Sequence, residues 1–523
     1  MSLRESLRKL SGESMVYGLG QVSGRAVNLL LVPILTRVLL RQQFGVSELV
    51  TGYSASVLLV LVFGMDAALA RFFYQQPDRA ARLRMTSSSF AFRLATGVSV
   101  SLLLALLAGP LAVALTGSDA YGKYLRLGAL TLPFTLTVLW CNDLLRVTFQ
   151  PWKFVVLNVT QTALVGGVTL YLVLARGLGV AGVLYGKLAG DALAALLGVV
   201  LCRHHVRPRF DRAILAGMLR YGLPLVPVAF AYGTIGSVDR WSLQRFASLD
   251  EVGIYAVALK FFAVVTLGVS AFQLAFMPFA FARAQDPEAP RLYARVLGLY
   301  VAVASAGALL VGLAAPLGIR LLATHEYAAS ARPALWLGFA AVAQGAYYVA
   351  ALGINLSLRN ALLGLSVGGA AVIAAVANLL LVPRLGAEGA AMATFAGYVT
   401  SATLTYVIAQ RVHPLPFRGA RLAALFAAAV ALGAVTVRQP AAGSAAVALR
   451  AAAWAAFALL AWKSDVWRTG ARSGTGRRPN RKAASTCAAS RGSSIDTGAP
   501  TWAGRRPWGT CCAIAVPTTR AWC

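Results

Sequence analysis

Charge is scarce in this chain. Only 13% of its 523 residues are Asp, Glu, Lys or Arg, about half the share found in an ordinary soluble domain. Acidic residues are rarest, 18 against 48 basic ones, and histidine occurs four times. No Walker A, G-x-S-x-G or H-E-x-x-H phrase is present, so the familiar ATPase, α/β-hydrolase and zinc-protease signatures are missing. His204 and His205 stand together without further ligands, and none of the six cysteines forms a C-x-x-C pair. No metal or cofactor is expected, and no enzymatic activity. One phrase, "GLGVAG" at Gly177–Gly182, fits G-x-G-x-x-G, but an apolar helical run precedes it where a nucleotide fold needs a strand, so the nucleotide reading is rejected.

What is present is apolar. The chain is 58% hydrophobic with a mean hydropathy of +0.69, more apolar surface than one water-soluble core can hide. A bilayer is spanned by about 20 apolar residues in a helix. That window gives fourteen candidate spans: 15–36, 46–69, 89–115, 124–146, 154–175, 179–202, 217–238, 252–279, 296–319, 333–356, 361–382, 387–410, 420–437 and 443–463. The fold class is therefore an all-α polytopic membrane protein. Lys and Arg favour one set of alternate loops by roughly two to one, which places both termini in the cytoplasm. The formal net charge of +30 is then read as loops facing anionic headgroups, with no nucleic acid as partner.

Composition changes after Val466. From Trp467 to Cys523 there is no Leu, Phe, Tyr or Met, and Cys487, Cys511, Cys512 and Cys523 cluster there. This stretch reads either as out-of-frame translation of a GC-rich gene or as a genuine disordered basic tail. The remaining Cys141 and Cys202 lie in apolar spans and read as packing residues.

The chain also repeats itself. "YGL" at Tyr17–Leu19 returns at Tyr221–Leu223, and Gly64 aligns with Gly268. Leu178, Gly179, Gly182, Ala189 and Gly190 align with Leu385, Gly386, Gly389, Ala396 and Gly397. Six spans per copy is an even number, so the copies share one orientation and relate by an axis along the membrane normal, a transporter design. The expected organisation is a cytoplasmic lead-in (1–14), a six-helix lobe (15–202), a cytoplasmic inter-lobe loop (203–216), a second six-helix lobe (217–410), two further helices (411–463) and the tail (464–523). Pro383 and Arg384 are expected to end span 11, Gly386 and Gly389 to turn the chain, and small residues to open span 12 for close helix approach.

Several phrases carry a family resemblance: "YGLGQVSGRAVNLLLVPILTRVLLRQQFGVSELV", "GMDAALARFFY", "YGLPLVP" followed by "SVDRWSLQRF" and "VGIYAVALK", and "ANLLLVPRLGAEGAAMATFAGY". Across about residues 12–410 the chain resembles polysaccharide biosynthesis proteins of the oligosaccharide flippase (Wzx-like) type, within the multidrug/oligosaccharidyl-lipid/polysaccharide exporters. The resemblance implies two lobes around a central cavity. It also implies translocation of an undecaprenyl-diphosphate-linked oligosaccharide across a bacterial inner membrane by alternating access, for O-antigen, capsule or exopolysaccharide. Lipid-linked oligosaccharide, membrane lipids, a polysaccharide polymerase and chain-length machinery are the implied partners. An ion-coupled multidrug exporter on the same scaffold is the alternative.

Ionisable groups inside spans are costly and usually face a bundle interior or a wet cavity. Tyr17, Gln21, Gly24, Arg25 and Asn28 share roughly a 100° arc of span 1. Arg25 either grips a diphosphate, which guanidinium geometry suits, or pairs with Glu48 or Asp66. Lys260, a lone cation in span 8, is the second expected diphosphate contact. Ser47, Thr51 and Ser54 read as cavity wall. Lys187 and Asp191 share a helix face; they neutralise one another, or Lys187 faces the cavity. Asp66 with Arg71, and Asp143 with Arg146, read as structural pairs or caps. Asp239 and Arg240 at the end of span 7 read as an outer gate or an inter-lobe salt bridge. Gln344, Tyr348 and Asn355 on one face of span 10 suit sugar hydroxyls or helix–helix hydrogen bonds.

Overall fold

The computed structural model describes residues 31–464, apart from 77, 117, 208–209, 237, 284–285, 358–360 and 438–443. Gln21, Arg25 and Asn28, with most of span 1 and the tail, lie outside the described residues. Among these residues every regular element is helical. In hydrocarbon each backbone N–H and C=O must find its partner within the segment, which a helix alone achieves. The described part of α1 covers 31–38. There follow α2 (Arg41–Leu61), α3 (Met65–Gln75), α4 (Arg79–Leu106), α5 (Ala108–Thr116), α6 (Gly122–Val147), α7 (Pro151–Leu170) and α8 (Gly179–Cys202). Next come α9 (Arg212–Gly222), α10 (Val226–Ile235), α11 (Val238–Phe246), α12 (Leu249–Ala282), α13 (Ala289–Leu322), α14 (Ala331–Ala350), α15 (Leu352–Leu356), α16 (Ala361–Val412), α17 (Gly419–Val437) and α18 (Ser444–Lys463). Short polar devices set the starts: Asp211 caps α9 through the amides of Ala213 (3.0 Å) and Ile214 (3.1 Å), and Pro151 opens α7, where no amide is needed.

Among the described residues twelve stretches are long and apolar enough to cross a membrane. The longest, Leu362–Val412, is a hairpin of two crossings. Gly386 sits at φ 54°, ψ −130°, and beyond it the chain runs back along itself. Ser366 Oγ meets Thr405 Oγ1 at 2.8 Å, and a Cβ on Gly397 would lie 2.8 Å from Ala374 Cβ. The expected turn at Gly386 is therefore where the chain reverses, and an L side chain is strained at that φ. The α7–α8 pair does the same around Gly177 and Gly179, both at positive φ. Here Gly186 lies on Thr169 and Gly190 on Val165, where a Cβ would come within 2.6–2.7 Å of the facing Cα.

The two hairpins explain the repeated phrase. Gly182, Gly186, Gly190, Ala194 and Gly198 recur every fourth residue, and Gly389, Ala393, Gly397, Ser401 and Thr405 occupy the matching places. Lipid offers no hydrophobic drive for helices to associate, so close backbone contact along a small-residue stripe must supply it. Elsewhere large apolar side chains face outward: Leu365, Val372, Val376, Leu379 and Leu380 on α16, and Leu94, Val98, Leu102 and Leu106 on α4, are all exposed. Exposed apolar bands of this extent belong against acyl chains.

The halves meet at a two-fold-like crossing. A Cβ on Gly45 would strike the Leu249 carbonyl, and one on Gly253 would lie 2.5 Å from the Arg41 oxygen. Each glycine thus packs on the residue that corresponds to the start of its partner's helix, as two copies related by one axis must. Symmetry fails lower down. Span 2, expected to be one helix over 46–69, breaks at Phe63 and Gly64, both at positive φ, because the Gly222 backbone packs there, 2.8 Å from where a Gly64 Cβ would be. In the matching α12 the helix passes unbroken through Gly268.

Candidate functional site

The seam between the halves runs from the end of α1 down α2 at nearly one contact per turn. Arg37 Nη2 donates to the Leu321 carbonyl (3.2 Å), and Arg41 pairs with Glu326 (3.6 Å). One turn on comes the Gly45–Gly253 crossing. Next, Lys260 Nζ binds Glu48 Oε1 at 2.7 Å, with Phe44 6.0 Å below the ammonium. Lys260 is thus not the lone cation expected from sequence; its partner lies 212 residues away, beyond any local pattern. Both side chains keep some exposure, 25% and 17%, which spares the pair full desolvation. A turn further, Arg240 lies over Gly52, where a Cβ would be 2.9 Å from its Cδ, and its Nε is buried without a hydrogen-bond partner. Gly233 then packs on Leu59.

The side chains of Asp239 and Arg240 form no ion pair with one another. They sit in α11, a helix that continues span 7 past the break at Gly236. Asp239 is fully buried, accepts from the Tyr255 hydroxyl and from Thr394 Oγ1 (3.4 Å), and makes no ion pair among the described residues. Arg240 instead reaches across to α2. Adjacent residues on a helix point about 100° apart, so the two side chains meet different neighbours.

Away from the seam, two ionic clusters of the first half are internal to it. Asp191, fully buried, accepts from Lys187 Nζ, Thr135 Oγ1 and Gln161 Nε2, all at 2.8 Å. Lys187 therefore neutralises Asp191. Asp143 binds Arg146 at 3.3 Å and also Arg93 at 2.9 Å. Arg93 is 1% exposed, with Nε and Nη2 unpartnered. Sequence reasoning passed over Arg93, although an arginine inside the apolar window of span 3 was a usable signal. Asp66 makes no ion pair among the described residues; it lies in the first turn of α3, where the helix dipole favours a carboxylate. Ser47, Thr51 and Ser54 give their hydroxyl hydrogens to carbonyls of their own helix: Phe44 (2.8 Å), Ser47 (2.8 Å) and Val50 (3.0 Å).

In the second half a phenol–amide cluster forms. Gln344 Nε2 donates to Tyr232 Oη (3.0 Å) and Tyr398 Oη (3.5 Å), and Tyr232 and Tyr348 share a hydrogen bond of 3.0 Å. Tyr347 stacks obliquely beside both Tyr232 and Tyr348. Gln344 and Tyr348 are thus brought together, with Tyr232 and Tyr398 added from α10 and α16. Asn355 lies in α15, which follows α14 after a single residue, and makes no side-chain hydrogen bond among the described residues.

A sequence profile of the polysaccharide biosynthesis protein family matches residues 34–332, more than half of the chain. No curated protein matches it. Among solved structures, the lipid II flippase MurJ in an inward closed conformation is similar at a TM-score of 0.68 and 10% identity, over 86% of this chain and 99% of that one. A MATE transporter in the bent conformation matches at 0.55 and 15% identity, over 80% and 96%. A Vibrio cholerae MATE transporter matches at 0.56 and 14%, over 77% and 97%. These likenesses establish the fold, two six-helix lobes with further helices at the C-terminal side. With that architecture, a seam of inter-lobe contacts and a family profile over residues 34–332, the chain is a multi-pass helical membrane protein and belongs to the polysaccharide biosynthesis protein family.

Proposed function

We propose that the protein flips an undecaprenyl-diphosphate-linked oligosaccharide across a bacterial inner membrane by alternating access, serving O-antigen, capsule or exopolysaccharide assembly. The family supports a polysaccharide role and the MurJ-like fold supports a lipid-linked substrate. The observation that carries the mechanism is the Lys260–Glu48 pair, 2.7 Å across the seam. A diphosphate entering between the lobes competes with Glu48 for the Lys260 ammonium. Arg25, from the opposite lobe, supplies the second cation and can bind two oxygens at once. With the N-terminus cytoplasmic, the Arg37–Arg41–Gly45 end of the seam is periplasmic and shut in this state. Exchange of Glu48 for phosphate then loosens that end only when cargo is present, so that the substrate's binding energy shifts the lobe equilibrium. The Tyr232–Gln344–Tyr348–Tyr398 cluster offers hydroxyl and amide groups to sugars.

Arg25→Ala and Lys260→Ala are each expected to abolish complementation of a flippase-null strain at normal membrane levels. Full activity in both variants would refute the diphosphate clamp. A second reading, ion-coupled drug export, draws on Asp239: a buried carboxylate without an ion-pair partner can exchange a proton during transport. A drug-susceptibility panel separates the two, since the flippase reading expects no change in resistance when the gene is deleted.

A further inference from the structure

A polar cavity lies in the second half, lined by neither Lys260 nor Glu48. It holds about 470 Å³ and is walled by Arg320 of α13, Arg332 of α14, Arg450 of α18, Glu251 of α12 and Glu388 of the α16 hairpin tip. The carboxylates are engaged. Glu251 accepts from the Ala387 amide at 2.7 Å, and Glu388 accepts from Trp336 Nε1 at 3.4 Å and lies 3.7 Å from Arg332. Both therefore clamp the hairpin tip in place. Arg450 is the anomaly. It is 8% exposed, and its Nε and Nη2 are buried without a hydrogen-bond partner. It stands six residues into an otherwise apolar membrane helix, about 9 Å from that helix's start.

An arginine at this depth normally extends to the headgroup layer or pairs with a carboxylate. Among the described residues Arg450 pairs with no carboxylate, and it faces a cavity with two further guanidinium groups on its wall. A buried cation left uncompensated is strongly unfavourable, and planar guanidinium groups match phosphate oxygens two at a time. We propose that this cavity is a binding site for a phosphate-class oxyanion, with Arg450 as its floor and Arg320 and Arg332 at its rim. Its position within two turns of a helix end puts it at the level of lipid headgroups. An anionic phospholipid and free phosphate are the two sources of that chemistry. The site involves neither Lys260 nor Glu48 and stands whether or not the transport reading does.

The test uses the full-length protein in nanodiscs of phosphatidylcholine, with or without phosphatidylglycerol, and in detergent with inorganic phosphate. Lipid retention is read by native mass spectrometry and stability by thermal unfolding. If a lipid is the ligand, phosphatidylglycerol is retained over phosphatidylcholine and raises the melting temperature. If free phosphate is, it raises the melting temperature in detergent. In either case Arg450→Met is expected to weaken binding about ten-fold or more while melting no lower than wild type in phosphatidylcholine alone, since it removes an unpaired buried charge. Arg320→Gln, at an exposed rim position, gives a smaller loss and guards against a folding artefact at Arg450. The proposal is overturned if neither anion is preferred over phosphatidylcholine, or if Arg450→Met retains the anion as tightly as wild type.

Discussion

The two hairpins that end the two lobes share a backbone design and differ in chemistry. Four residues apart on the stripe, Gly186 and Gly190 in one and Ala393 and Gly397 in the other hold the arms together. Beside them, the first half places Lys187 and Asp191 and the second places Thr394 and Tyr398. The first lobe surrounds its buried carboxylate with an ammonium, a hydroxyl and an amide. At the matching position the second lobe carries a phenol in a ring of other phenols. Duplication thus conserved the packing that lipid demands and freed the polar interior to diverge. One lobe is braced by charge; the other presents neutral hydroxyls.

Breaking the ionic brace should have the largest effect. Asp143→Ala leaves Arg93 buried and unpaired and should cost about 3–5 kcal/mol of stability, read as lost monodisperse protein after detergent extraction. Combining Arg93→Met with Asp143→Leu should recover most of it; no recovery would deny that the charge pair is the brace. Next come the hairpin stripes. Gly190→Leu and Gly397→Leu should each destabilise by about 1–3 kcal/mol or more through overpacking, and similar thermal shifts would sharpen the claim that the two hairpins are one design. The seam pair follows. A double-mutant cycle on Glu48→Gln and Lys260→Met should show coupling of about 1–2 kcal/mol; additive effects would mean that the lobes are not latched there. The neutral cluster should give the smallest change. Tyr348→Phe or Tyr398→Phe removes one hydroxyl, worth about 1 kcal/mol or less, and should alter transport of different oligosaccharides unequally while leaving the melting temperature nearly unchanged.

Much of the scaffold could be read from the chain because the bilayer imposes local rules. A span announces itself by its length in apolar residues, and a hairpin by glycines at Gly177, Gly179 and Gly386 followed by a four-residue stripe. What escaped was partner choice. Nothing near Lys260 in sequence points to Glu48, nor anything near Arg93 to Asp143, because these pairs are set by how whole helices lie side by side. The serine and threonine stripe of α2 is ambiguous for a related reason. A hydroxyl in a membrane helix can satisfy itself on the preceding turn, so polarity along a face need not mean water beside it. The break at Phe63–Gly64 was equally hidden, since its cause is the backbone of Gly222.

The crossing of Gly45 over Gly253 brings the lobes together main chain to main chain, with Phe44 edge-on to Tyr327 beside it. So little side chain lies at the point itself that it can serve as a pivot. A bearing of this kind permits rotation but resists separation, and everything further along α2, from Glu48 to Leu59, must then travel on an arc whose radius grows with distance from it.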